Sequence, residues 1–219
     1  MEDIILRLCV SLPVFLFAIV VHEASHAYMA LRFGDSTAQS MGRLTLNPIA
    51  HYDLVGTIIF PLVGVLLGGS MFGWAKPVPV DARRFKNMRS GIFWVSFAGP
   101  LSNIILAIIS SFLYAFMLSK VATSFYFHDV FSQMLLQSVY INVILAVFNL
   151  IPFPPLDGSK MVSSFLDYET SRKYEDLARF SFLFVIVLWT TPVLQYLIGP
   201  AVMAGQLLTN WFYRLLLSI

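Results

Sequence analysis

Charge is what this chain has least of. Only 12% of its 219 residues are Asp, Glu, Lys or Arg, against 58% that are hydrophobic. A soluble domain carries about 25% charged residues, so a globule facing water on all sides is excluded. Cysteine is nearly absent as well. Cys9 stands alone, which rules out an internal disulfide framework and any cysteine-based metal cluster. No excess of either sign exists: the net charge is +2, so no acidic or nucleic-acid partner is expected. Repeats and low-complexity tracts are missing, as is any polar linker long enough to frame a second soluble domain. What the chain has instead is 15% aromatic residues and a mean hydropathy of +0.78. That composition excludes disorder. The apolar runs are continuous rather than alternating, which fits a transmembrane β-barrel badly. A polytopic helical membrane protein remains.

The apolar runs cover about 4–31, 54–69, 92–118, 131–151, 180–198 and 201–217. A full helical crossing needs about 20 residues, so five runs qualify. The run 54–69 is short and carries Gly56, Pro61, Gly64, Gly68 and Gly69, as a re-entrant segment would. Glu2 and Asp3 precede the first run and no small-residue cleavage site follows it, so a retained helix is expected rather than a signal peptide. Gly34 is placed to end that helix as its C′ residue. Alternating Val and Pro in 73–80 predict an extended edge strand or short hairpin. Residues 168–178 predict a short amphipathic helix at the interface. The expected fold is therefore all-α and polytopic. It has about five transmembrane helices, a re-entrant segment and an edge strand, within a single membrane-embedded unit over 1–219.

Ionisable side chains are rare in membrane helices and mark function by default. The first run breaks that rule with His22-Glu23-Ala24-Ser25-His26. This H-E-x-x-H pattern sets two imidazoles four residues apart on one helical face, where both can bind one zinc ion. Glu23 lies beside them, within reach of a water whose pKa the metal would lower to about 7. At the His and Glu frequencies of this chain the pattern arises by chance about 0.001 times. Two histidines paired only with each other, beside a structural Glu, would be costly in lipid. A catalytic zinc site usually takes three protein ligands. His51, His128 and a carboxylate are candidates. The best is Asp157, which follows the fourth run in Asn149-Leu-Ile-Pro-Phe-Pro-Pro-Leu-Asp157-Gly158. Its alternative role is a helix cap. Gly158 is read as permitting an unusual backbone angle. Asn103 and Asn142 are expected to make helix–helix hydrogen bonds, and Gly99 to permit close helix packing. Ser25, Asn149, Lys76 and Lys160 are candidates to line a polar path for water.

These motifs, with Gly42-Arg43-Leu-Thr-Leu-Asn47-Pro48, Gly73-Trp-Ala-Lys-Pro-Val-Pro-Val80 and Ala98-Gly99-Pro100-Leu-Ser-Asn103, resemble the site-2 protease family of intramembrane zinc metalloproteases, in its compact microbial branch. The likeness covers about residues 14–165. It implies that His22, His26 and Asp157 ligate one zinc ion, that Glu23 is the general base, and that Asn149 helps hold the carbonyl oxygen in the transition state. It also implies that 73–80 lies near the substrate, a transmembrane protein in the lipid bilayer. The metal-site core would span about 4–165, followed by C-terminal helices at 180–217. Regulation through the PDZ or CBS appendages common in the family is not expected. Two rival functions are a zinc transporter and a non-catalytic protein that binds membrane helices. A transporter would carry more ionisable residues along its pathway, and a silent relative need not keep Glu23.

One zinc requires both motifs at one membrane depth. If all six runs crossed, His22 and Asp157 would face opposite sides. If 54–69 dips and returns, they share a side. With the N-terminus outside, that arrangement leaves only Arg7 and Lys120 on the outer face among the 14 Lys and Arg, in keeping with the positive-inside rule. The expected location is the cell membrane, with a multi-pass topology and the active site toward the cytoplasmic side.

Overall fold

The computed structural model describes residues 2–66 and 73–218. Every regular element among them is helical. The order is α1 (Glu2–Arg32), α2 (Thr37–Ser40), α3 (Phe60–Leu66), α4 (Met88–Lys120), α5 (His128–Leu150), α6 (Asp157–Ser163), α7 (Tyr168–Glu175), α8 (Ser181–Thr190) and α9 (Val193–Leu217). Three helical stretches are long and apolar enough to cross a membrane: Leu8–Arg32, Met88–Lys120 and His128–Leu150. Helix α4 is central and packs against α1, α5, α6 and α9.

The packing is that of a bundle in lipid. On α4 the buried positions are mostly small or polar: Gly91, Ser96, Gly99, Asn103, Ala107, Ser111 and Ala115 recur every three to five residues. Ile105, Ile108, Ile109 and Phe116 of the same helix face outward. Lipid removes the hydrophobic drive between helices, so close approach of small residues and interhelical hydrogen bonds hold the bundle instead. On α1, Phe15, Ala18, Ile19, His22, His26 and Ala30 form one buried stripe. The site histidines thus lie on the face turned toward the other helices.

Gly34 ends α1 as expected, with φ +108°. Its amide donates to Leu31 O at 3.0 Å and that of Asp35 to Ala30 O at 2.9 Å, a complete Schellman closure. Asp35 is fully buried. Its carboxylate accepts from Thr37 N (2.9 Å) and Asp81 N (2.7 Å), tying the end of α1 to the chain beyond 73–80. Burial pushes its pKa up, but the Thr37 and Asp81 hydrogen bonds and the nearby Arg84 charge outweigh burial and hold it below 3.8. A depressed folded pKa stabilises above the unfolded value and is lost as pH falls through the folded one. Protection of the Asp81 amide against hydrogen exchange, relative to the free-chain rate at each pH, is therefore expected to fall only below pH 3.8, and Asp35→Asn should lower it at neutral pH.

Three sequence expectations change. The 73–80 segment takes no regular structure and joins no strand among the described residues. Trp74 N–H donates to Gly56 O (3.0 Å) and Lys76 N–H to His51 O (2.9 Å), while Val78 N–H donates to Glu23 Oε2 (2.9 Å). The amides of 74, 76 and 78 are thus spent on the protein body, and Pro77 and Pro79 bring no N–H to the other edge. The apolar run 180–198 is not one helix. Thr191 and Pro192 interrupt it, and Tyr168–Leu188 and Val193–Leu217 meet at a bend of 74°. Gly158 has no positive φ, unlike Gly34 and Gly42. It is small because a Cβ there would lie 2.3 Å from Leu150 O and 2.6 Å from Ile151 O. Of the expected re-entrant run, 54–66 is a π-helical turn (Leu54–Ile59) continuing into α3. Residues 67–69 lie outside the described residues.

Candidate metal centre

Three elements meet at the centre. Helix α1 brings His22 and His26, one turn apart. Helix α5 stops at Leu150, before Ile151-Pro152, because a residue preceding proline is driven out of the helical region. The turn that follows delivers Asp157 as the first residue of α6, with Leu156 rather than Asp157 in the cap position. The capping role therefore does not apply to Asp157. Its Oδ2 lies 3.1 Å from His22 Nε2 and 3.2 Å from His26 Nε2, and the two Nε2 atoms are 3.0 Å apart. All three residues are buried.

The partners of the other ring nitrogens assign the protons. His22 Nδ1 donates to Asn103 Oδ1 at 2.6 Å, since the Asn103 amide nitrogen is committed to Asn142 Oδ1 at 2.8 Å. His26 Nδ1 donates to the Val95 carbonyl at 2.6 Å. With both protons on Nδ1, both Nε2 atoms present lone pairs. Two lone pairs and a carboxylate oxygen then converge in a buried pocket with no hydrogen between them. A cation satisfies that arrangement. Zinc bonds of about 2.0–2.2 Å to N and O imply ligand–ligand edges of roughly 3.3 Å in a tetrahedron, close to the distances found. The donor set fits zinc.

Helix α4 forms the wall behind the imidazoles. A Cβ on Gly99 would lie 2.5 Å from His26 Nε2 and 2.6 Å from His22 Nε2. Gly99 does serve close packing, but what it packs against is the His22–His26 pair. Asn103 and Asn142 are both fully buried and extend the His22 contact inward. Asn142 Nδ2 donates to Ser138 O (2.9 Å), and Ser138 Oγ pairs with Ser110 Oγ (2.7 Å). These amides do bond helix to helix, and the chain they form ends on a site histidine. Outer partners of metal-site histidines typically contribute 10- to 100-fold in affinity or activity. Asn103→Leu is accordingly expected to weaken zinc binding by about 10- to 100-fold, measured by competition with a chelator, while the helical spectrum is unchanged.

Glu23 is half-buried beside the pair, its Oε2 accepting from Val78 N–H at 2.9 Å. Asn149 is not drawn into this cluster by any hydrogen bond; its Nδ2 donates to Leu145 O of its own helix at 3.0 Å. His51 and His128 are buried elsewhere. The first is held by Thr45 O at 2.9 Å and the second by Met117 O at 3.3 Å, and neither joins His22 and His26. Ser25 turns back to Val21 O at 2.7 Å, and Lys76 and Lys160 are exposed. Sequence reasoning missed the Val95 carbonyl, which no side-chain pattern can signal. It also missed Arg43, which is 9% exposed despite its charge. That residue was visible only as part of a motif.

A buried His-His-Asp donor set with an adjacent glutamate, built into apolar helices, is the arrangement a membrane metallopeptidase needs. The sequence profile of Peptidase family M50 matches residues 11–189, and the chain belongs to that family, the site-2 proteases. It is 40% identical over 190 residues to "Putative zinc metalloprotease YwhC" of Bacillus subtilis, covering 85% of this chain and 82% of that one. It is 31% identical over 182 residues to "Putative zinc metalloprotease Rip2" of Mycolicibacterium smegmatis, covering 82% of this chain and 66% of that one. The namesake of the latter in Mycobacterium tuberculosis is also 31% identical, over 183 residues. No solved structure matches. The protein is a zinc metallopeptidase and a multi-pass membrane protein.

Proposed function

We propose that this peptidase hydrolyses peptide bonds in or near transmembrane segments of membrane proteins, with His22, His26 and Asp157 holding the zinc. The convergence of three hydrogen-bond acceptors on one buried point carries the reading. When bound, zinc supplies Lewis acidity for a carbonyl and acidifies water at its open position. Glu23 takes a proton from the attacking water and returns it to the leaving amine nitrogen. Asn149 supports the developing oxyanion: its amide has a second hydrogen beyond the one given to Leu145, and it lies on the segment that ends in Asp157. The 73–80 segment borders the substrate at Glu23. Its exposed Val80 end is what it can offer to an extended substrate backbone.

The whole chain acts as one unit, a metal-site core over about 4–165 followed by the helices of 180–217. The π-helical start of 54–66 and its Gly56, Pro61 and Gly64 support a re-entrant reading, which puts both metal motifs on the cytoplasmic side. Helix α9, packed along α4 and α5, makes a further crossing toward the expected five.

The test uses purified protein in detergent and a single-span reporter peptide. One zinc per chain and cleavage within the apolar segment are expected. A strong chelator should abolish cleavage, and added zinc should restore it. Cleavage that persists in the metal-free protein would sink the reading.

A further inference from the structure

Arg43 presents a problem that the reaction as described leaves open. Its guanidinium is always charged, and burying a charge without a counter-charge is costly. Yet Arg43 is only 9% exposed, and no carboxylate among the described residues lies within ion-pair distance of it. Its Nε is buried without a partner. What Arg43 does hold is backbone. Nη2 donates to Lys76 O at 2.6 Å and to Pro77 O at 3.0 Å. Successive residues of a regular extended chain face opposite sides, so one nitrogen reaching both carbonyls fixes the local path of the chain at these two residues.

The second carbonyl is the informative one. Pro77 C=O and Val78 N–H belong to one peptide plane, and that N–H donates to Glu23 Oε2 at 2.9 Å. A single rigid plane is therefore gripped at its oxygen by a cation and at its hydrogen by the glutamate. A cation on the oxygen polarises the plane and strengthens donation at the other end. The plane itself is anchored on both sides. Upstream, Trp74 N–H and Lys76 N–H are bound to Gly56 O and His51 O. Thr57 Oγ1 donates to Trp74 O at 3.1 Å. Downstream, Asp81 N–H is bound to Asp35. A segment held at so many points is a fixed clamp rather than a lid.

We propose that Arg43 is a positioning residue for proteolysis: it acts on Glu23 through the Pro77–Val78 peptide, holding Oε2 so that Oε1 is the oxygen left to move the proton. The counter-charge of the buried guanidinium is Glu23, reached across one peptide unit. The inference rests on Glu23 being the general base.

Arg43→Met, Arg43→Lys, Val78→Pro and Glu23→Gln are compared in the full-length protein, using zinc content, kcat and KM on the reporter peptide, and hydrogen exchange over 73–80. For Arg43→Met the expected result is one retained zinc, kcat reduced by about 10- to 100-fold, unchanged KM and faster exchange in the segment. Arg43→Lys, which can still reach one carbonyl, should recover part of kcat. Val78→Pro deletes the N–H and leaves Arg43 intact, so it should reproduce the kcat loss with zinc retained. It also serves if Arg43→Met does not fold. A wild-type kcat in Arg43→Met or in Val78→Pro overturns the inference, as does a loss confined to KM or to zinc content. Glu23→Gln separates the two levels. If it is inactive while Arg43→Met is normal, only the role of Arg43 fails. If it cleaves normally, the base assignment fails and the proposal with it.

Discussion

Glu23→Gln is expected to keep its zinc and lose proteolysis. None of the three donor atoms that converge on the metal position belongs to Glu23. His22 and His26 are held from behind by Asn103 Oδ1 and Val95 O, and Asp157 arrives from α6. Glutamine has the shape of glutamate, and its side-chain oxygen can still accept from Val78 N–H. The site and the 73–80 segment should therefore stay in place. What the substitution removes is the capacity to take a proton from water. General-base groups contribute about 10²- to 10⁴-fold, and a fall of that size in kcat is the expected outcome. The measurement pairs metal analysis with turnover of the reporter peptide. Zinc lost together with activity would instead make Glu23 part of the metal-holding structure. Normal turnover would remove it from the mechanism.

Gly99→Ala should act in the other order and weaken metal binding first. The added methyl would lie 2.5 Å from His26 Nε2 and 2.6 Å from both Cε1 and Nε2 of His22, well inside contact distance, so something must shift. The imidazoles have little room to retreat, because each is pinned at Nδ1 by a hydrogen bond of 2.6 Å. Overpacking in a well-packed core costs about 1–3 kcal/mol. Here that strain falls on the Nε2 atoms of His22 and His26, the two proposed to hold the metal. A loss of zinc affinity of at least about 100-fold is expected, equivalent to roughly 2.7 kcal/mol, with cleavage lost in parallel. Chelator competition reads the affinity, and circular dichroism checks that the helices remain. An alanine variant that binds zinc as tightly as the parent would mean that α4 does not stand where the structure has it.

Much of the site was legible in the sequence because its first half is local. His22, Glu23 and His26 lie within five residues of one helix, and an α-helix sets i and i+4 on one face whatever surrounds it. Asp157 was the next most legible: a carboxylate beside three prolines and a glycine, directly after an apolar run, already implied a chain that stops and turns at the membrane boundary. Gly34 was legible for the same reason, since helix closure is a short-range event. The 73–80 segment was only half legible. Its prolines signalled extended backbone, but whether it would pair in a ladder depended on partners distant in the chain. The protein body took its amides instead. The run 180–198 had the composition of one helix, and the break at Thr191-Pro192 outweighed it.

By itself, the sequence determined the solvent, the helical class, and two imidazoles with a carboxylate beside them on one helix. Composition and near-neighbour geometry suffice for these. Only the tertiary structure decided that Gly99 stands against both imidazoles. The same is true of Asn103 and the Val95 carbonyl setting their protons, and of Arg43 reaching Glu23 through the Pro77–Val78 peptide. Each of these depends on how helices cross and loops return. Two of them use backbone atoms, which every residue carries and no sequence pattern distinguishes. The 12% charge of the chain identified a membrane protein; the fold decided how a few of those charges reach one another inside it.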